Sequence, residues 1–153
     1  MAAETLPPLT RSSDLCLRIA RANAVLLRRF DSSLGSHHGI SYGDFQLLNH
    51  LARAPGGRLR RVDLAERLGL TASGVTRSLL PLEKIGLITR ESDPRDARVG
   101  YAALTPAGAE LALNATVVVD NISRDALRAL PSAQMNALAE VLGQIAGMHI
   151  ANT

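Results

Sequence analysis

The 153-residue chain has one cysteine, Cys16, so no disulfide can close within it, and only pairing between subunits or a reactive thiol stays open. Lysine is almost missing too, since sixteen of the seventeen cations are arginine and Lys84 is the exception. Arginine suits bidentate contacts to phosphate and guanine, although a compositional bias of the genome produces the same excess. No uninterrupted apolar run approaches the length of a bilayer span, and residues 1–10 lack the apolar core of a secretion signal. The expected location is therefore the cytoplasm, away from membrane. A Gly-rich phosphate loop, a nucleophile paired with a base, and a telling pair of carboxylates are also missing, which argues against an enzyme and implies no cofactor.

What is present is a chain of single-domain size with 46% hydrophobic residues, ample for a core. Its net charge of +3 is unevenly placed: residues 58–98 carry nine basic and six acidic side chains, whereas those after Thr105 carry two and four. The basic segment is where a nucleic acid would sit.

That segment organises the rest. Val62, Ala65 and Leu68 share one face of a first helix, with Asp63, Glu66 and Arg67 on the wet side. Gly69 should close it in the left-handed conformation, Leu70 should tuck back, and Thr71 should cap the next helix, together a helix-turn-helix pattern. In the second helix Val75, Leu79 and Leu82 face the core, which turns Ser73, Thr76 and Arg77 outward. Ala72, Ser73 and Gly74 keep its first turn small enough to approach a sugar-phosphate backbone, where free amides and the helix dipole favour a phosphate. Pro81 is expected to kink this helix or end its regular part. After Gly86, residues 87–90 and 99–104 read as two strands of a hairpin. Asp93-Pro94 starts its turn, Arg95 and Arg98 supply positive charge, and Asp93 or Asp96 can hold an arginine in place. Such a tip suits the enhanced negative potential of a narrow minor groove.

Before this segment, residues 1–9 read as a loose arm and residues 13–34 as a long helix, with Leu15, Ile19, Ala22 and Leu26 on one stripe and a break at residues 35–39. Ser41 with Asp44 resembles a capping box opening a helix that carries Phe45, Leu47, Leu48 and Leu51. Ala54-Pro-Gly-Gly ends it, and residues 58–60 form a short strand. Thr105-Pro106 opens a helix running to about Leu130, with Leu111, Val118, Ile122 and Leu127 on its apolar side. A last helix after Pro131 shows Met135, Leu138, Val141, Leu142 and Ile145 as a broad stripe. These terminal helices hold more apolar surface than one small domain covers, so a partner is expected.

Five pieces, Leu64-Ala-Glu-Arg-Leu-Gly-Leu, Val75-Thr-Arg, Leu82-Glu-Lys-Ile-Gly-Leu-Ile, Asp93-Pro-Arg-Asp-Ala-Arg and Leu104-Thr-Pro-Ala-Gly, stand in an order and spacing that resemble the MarR family of winged helix-turn-helix transcriptional regulators. The resemblance is densest over residues 41–111. It implies a mainly α fold with a small β-hairpin wing, divided into an N-terminal arm and dimerisation helix (residues 1–34), a winged helix-turn-helix DNA-binding domain (40–105) and C-terminal dimerisation helices (106–151). It further implies a homodimer that reads inverted-repeat operators in double-stranded DNA, with Thr71, Ser73, Gly74, Thr76, Arg77, Arg95 and Arg98 at the DNA and Asp93 and Asp96 supporting the wing. Repression relieved by a small aromatic or phenolic effector is the implied mode of action, with Tyr42 and His50 as candidate effector residues.

Each site residue also has a plainer reading. Arg77 could pair with Asp93 or Glu83, and Arg98 with Asp96. Cys16 occupies a position like that of the peroxide-sensing cysteine in one branch of the family, but the tyrosines that support that thiolate are replaced here by Ala20 and Phe30. A lone cysteine on an apolar helix is more often a small core residue. His37, His38 and His50 match no compact ligand spacing, so no metal is expected. The rival to a DNA reader is a winged-helix interaction or adaptor module, whose wing would lack arginines.

Overall fold

The computed structural model describes residues 6–147, which group into two compact units with the boundary between Val119 and Asp120. The first five residues of the expected N-terminal arm, and residues 148–151 of the expected C-terminal segment, lie outside the described residues. Six α-helices and three strands follow in the order α1 (Arg11–His38), α2 (Tyr42–Arg53), β1 (Arg58–Arg60), α3 (Arg61–Leu68), α4 (Ala72–Lys84), β2 (Ile88–Ser92), β3 (Gly100–Leu104), α5 (Pro106–Ala126) and α6 (Ser132–Ile145). This is the mainly α architecture with a hairpin wing that the residue pattern implies.

Helix α1 starts at the Thr10 cap, whose hydroxyl accepts the Ser13 amide. It runs four residues beyond the expected end at Leu34, through most of the expected break, and closes at Gly39. Gly35 does not interrupt it, because Phe30 and Leu34 anchor the same turns in the core, and an internal glycine costs only about 1 kcal/mol. Helix α2 opens with the full Ser41–Asp44 capping box, and a further carboxylate, Asp31 of α1, accepts the Tyr42 amide at 2.7 Å. These two fixings set the corner between α1 and α2. Below it Leu34, Leu47, Leu48 and Leu51 are fully buried.

The sheet has the order β1-β3-β2 with both pairings antiparallel, placing Ile88 opposite Leu104 and Ser92 opposite Gly100. Ile88, Ala102 and Ala103 are buried. Thr105 ties the end of the hairpin to α5: its hydroxyl approaches the carbonyls of Gly86 and Leu87 and accepts the Gly108 amide at 3.0 Å. Gly108 permits this close docking, since a Cβ there would collide with the Leu87 carbonyl and lie 2.9 Å from Leu104 Cδ1.

Two helix faces differ from expectation. In α3 the core residue is Leu64, fully buried, while Val62 is 67% exposed. In the first unit α5 buries Gly108, Ala112, Ala115 and Val119, a stripe displaced by one position from Leu111 and Val118, which stay half-buried. Small residues allow the helix to approach its neighbours more closely than the larger side chains would. The second unit contains the end of α5, which stops at Ala126 rather than near the expected Leu130, and all of α6, which starts at Ser132. Met135, Leu138, Val141, Leu142 and Ile145 of α6 are all exposed. Among the described residues, no helix is long and apolar enough to cross a membrane.

Candidate nucleic-acid interface

The turn between α3 and α4 is built as its residues dictate. Gly69 takes φ 64°, the left-handed conformation that a side chain would resist, and the Leu70 amide bonds back to the Ala65 carbonyl at 2.9 Å. Thr71 Oγ1 then accepts the Gly74 amide at 3.1 Å and lies 3.2 Å from Ser73 Oγ. The glycine at position 74 has a packing reason as well as the proposed DNA approach, because a Cβ there would sit 3.2 Å from Thr71 Oγ1 and 3.5 Å from Leu70 Cβ. Val75, Leu79 and Leu82 are buried as expected, so the α4 register is fixed and Ser73 and Arg77 are exposed. Pro81 neither ends nor shortens the helix, which continues to Lys84; the ring sits on the exposed side, and burial of Leu79 and Leu82 holds the turn without the missing amide.

Arg77 pairs with neither expected carboxylate. Glu83 accepts Arg90 Nε at 2.6 Å, and Asp93 caps the wing turn by accepting the Arg95 amide at 2.7 Å and the Tyr101 hydroxyl at 3.3 Å. The Arg77 and Arg95 side chains have no hydrogen bond or ion pair among the described residues, and both are exposed. Arg98 differs, because its guanidinium pairs with Asp96 at 3.2 Å, and hydrogen bonds from the Arg98 side chain and amide hold the Asp96 carboxyl below its usual range. Asp93 thus supports the wing backbone while Asp96 holds an arginine.

Three contributors had no signal in the local sequence. Arg61 Nη2 donates to Thr76 Oγ1 at 2.6 Å, across fifteen residues. Arg58 pairs with Glu91 at 3.1 Å and lies over the Tyr101 ring, 4.6 Å from its centre, bracing β1 against the hairpin. Between α3, the start of α4 and the wing lies a groove of about 680 Å³ that brings Arg60, Arg61, Thr76, Ser92 and Arg98 together. Arg60 in its wall pairs with Asp63, which raises its pKa through that hydrogen bond and charge.

The other candidates stand apart from this surface. Cys16 is exposed on α1 rather than a core residue: it shares a helix face with Phe30 and Leu34, but the N-terminal part of α1 is left uncovered, with Leu15 and Leu17 exposed beside it. Phe30 stacks on Tyr42 at 4.2 Å, and Tyr42 lies 5.9 Å from Phe45, so burial pushes the Tyr42 phenol up. His50, on α2, is held below its ordinary pKa by burial and then by the charge of Arg67. His37 Nδ1 meets the Ser33 carbonyl at 2.8 Å, and among the described residues no group of histidines, cysteines or acids has metal-site geometry.

Residues 38–99 match the model of the MarR family, and this stretch spans α2, the helix-turn-helix and the wing. Over that stretch the chain is similar to MarR-family regulators. The DNA-bound structure of Sco3205, a MarR-family transcriptional regulator from Streptomyces coelicolor, superposes with a TM-score of 0.83 at 29% identity, covering 94% of this chain and 91% of that one. A transcriptional regulatory protein assigned to the hcr operon of Thauera aromatica is 24% identical over 134 residues, 88% of this chain and 80% of that protein. CouR from Rhodococcus jostii RHA1, bound to p-coumaroyl-CoA, has a TM-score of 0.80 at 21% identity over 91% of this chain and 96% of its own, a likeness of fold. The relatives and the fold are those of transcriptional regulators rather than enzymes.

Proposed function

We propose that this regulator is a homodimeric repressor that binds inverted-repeat operators, placing α4 in the major groove and the wing in the adjacent minor groove. The observation that carries the reading is the pair Arg77 and Arg95, both exposed and unpartnered among the described residues, whereas Arg58, Arg60, Arg61, Arg90 and Arg98 each have an intramolecular partner. An arginine without a partner keeps its full charge and donor set for phosphate or a base edge. Ser73 and the small first turn of α4 supply backbone contacts beside it. Two copies related by a two-fold axis set their recognition helices about 34–36 Å apart, one turn of DNA, which is why the site is an inverted repeat. The DNA-bound relative Sco3205 supports the DNA reading.

Release follows from an aromatic or phenolic effector that engages α2 near Tyr42 and His50, where aromatic rings already stack and part of the surface stays open. CouR with its p-coumaroyl-CoA supports an aromatic class at the level of fold. A coupling of about 1–3 kcal/mol between effector and DNA suffices to switch occupancy. The reading is tested by selecting duplexes from a random-sequence library with the wild-type protein, then titrating the enriched duplex with Arg95→Ala across salt concentrations. The expected result is an inverted repeat, with weaker binding of the variant and a salt slope reduced by about 0.9 for one lost phosphate-type contact. Enrichment of no duplex, or equal binding by the variant, overturns it in favour of an adaptor that does not read DNA.

A further inference from the structure

We propose that Arg61 is a positioning residue that sets the distance between the recognition helix and the wing, and thereby the spacing of the base pairs that each one reads. The inference rests on the DNA-reading function above. Arg61 is the first residue of α3 and is only partly exposed. Its guanidinium reaches α4, where Nη2 donates to Thr76 Oγ1 at 2.6 Å, and that hydroxyl in turn donates a hydrogen bond to the Ala72 carbonyl at 3.1 Å. Its stem reaches the wing: a Cβ placed on Gly100 would lie 3.3 Å from Arg61 Cδ and 4.0 Å from Cγ.

Gly100 is the first residue of β3 and pairs with Ser92 of β2 at the end of the hairpin that adjoins the wing loop. One side chain therefore spans three elements, from the start of α3 to the DNA-facing turn of α4 and to the root of the wing. Thr76 is the immediate neighbour of Arg77, and the loop that leads into Gly100 carries Arg95 and Arg98. Moving the clamp would shift the α4 contact relative to the wing contact with no base touched by Arg61 itself. A rigid span gives discrimination because a mismatched spacing leaves one of the two arginines unpaired against DNA. The lack of a side chain at position 100 fits this role, since a methyl there would press on the arginine stem.

A phosphate-contacting arginine and a positioning arginine respond differently to substitution. Lysine retains a charge for phosphate but has no planar fork to reach the threonine hydroxyl. The experiment uses the duplex enriched by the wild-type protein and a variant of it with one base pair inserted or removed between the α4-read and wing-read positions. Affinities of wild type, Arg61→Lys, Arg61→Ala and Thr76→Val are measured for both over a range of salt, with thermal melts to establish that each variant is folded. For a clamp, both Arg61 variants lose discrimination between the duplexes by about tenfold, the magnitude of one good base contact, and keep the wild-type salt slope. Arg61→Ala combined with Thr76→Val loses no more than either alone. Wild-type discrimination in Arg61→Lys, a slope reduced by about 0.9 in Arg61→Ala, or additive losses in the double variant would each overturn the clamp. A wild type that enriches no duplex would remove the DNA reading and this inference with it, whereas an Arg95-dependent duplex that Arg61→Lys reads normally would remove the clamp alone.

Discussion

Arginine carries opposite duties a few residues apart in this protein, and the difference lies in what stands within reach of each guanidinium. Arg98 has Asp96 beside it and must give up that pair to touch DNA, although the pair is exposed enough to be weak. Arg95 has only its backbone amide engaged, so on the proposed reading its side chain can enter a groove without breaking an ion pair. At the same scale His50 makes the protein sensitive to acid. Burial and Arg67 keep its folded-state pKa below the ordinary 6.5, so below that pH the unfolded chain binds more protons than the native one. Stability is therefore full above about pH 6.5 and falls as pH drops toward the folded-state value, then levels once both states are protonated. The effect should be modest, since a half-exposed ring is partly screened. Thermal melts between about pH 7.5 and 5.5 should show a decline for wild type that His50→Gln reduces, and parallel curves would assign the acid response to other groups.

At the scale of elements, α4 was legible because its determinants are local. The Thr71 cap, the left-handed Gly69 and the Val75–Leu79–Leu82 spacing all lie within fourteen residues and agree with one another. Removing one of them tests this: Thr71→Ala should cost about 1 kcal/mol in a urea titration, because the Gly74 amide loses its acceptor. Ser73→Ala, whose hydroxyl caps no amide, should stay within about 0.5 kcal/mol, and equal losses would mean that the cap contributes little. Helix α3 was harder to read. Its eight residues hold two plausible apolar faces, and only packing from outside the helix selects Leu64 over Val62. The buried stripe of α5 escaped detection for another reason: Gly108, Ala112 and Ala115 have little hydrophobic signal, and their value is the close approach their small size allows. The candidate DNA surface divides in the same way. Arg77 and Arg95 were legible from motif and position, whereas the Arg61–Thr76 bond joins two helices across a turn that no periodicity encodes.

At the scale of the whole molecule, the proposed homodimer rests on the apolar stripes of the terminal helices, and a second copy of the chain would supply the symmetry of an inverted repeat. No residue of α6 is buried in the single chain, and Leu138 and Ile145 are 46% and 63% exposed. Leu15, Leu17 and Val25 of α1 are likewise uncovered. Apolar stripes of this width on monomeric proteins mark interaction surfaces, and a dimer would also convert two weak half-site contacts into one bivalent engagement. A charge placed within the α6 stripe should separate these functions, since it acts far in sequence from the Arg77 and Arg95 contacts. We expect Leu138→Glu with Leu142→Glu to sediment as a monomer while wild type sediments as a dimer. Its affinity for the full inverted repeat should fall by about 10²-fold or more through loss of bivalency, while residual binding to an isolated half-site stays near the wild-type value. A wild type that sediments as a monomer, or a monomeric variant that binds the inverted repeat as tightly as wild type, would exclude the two-fold arrangement and leave each chain to read DNA alone.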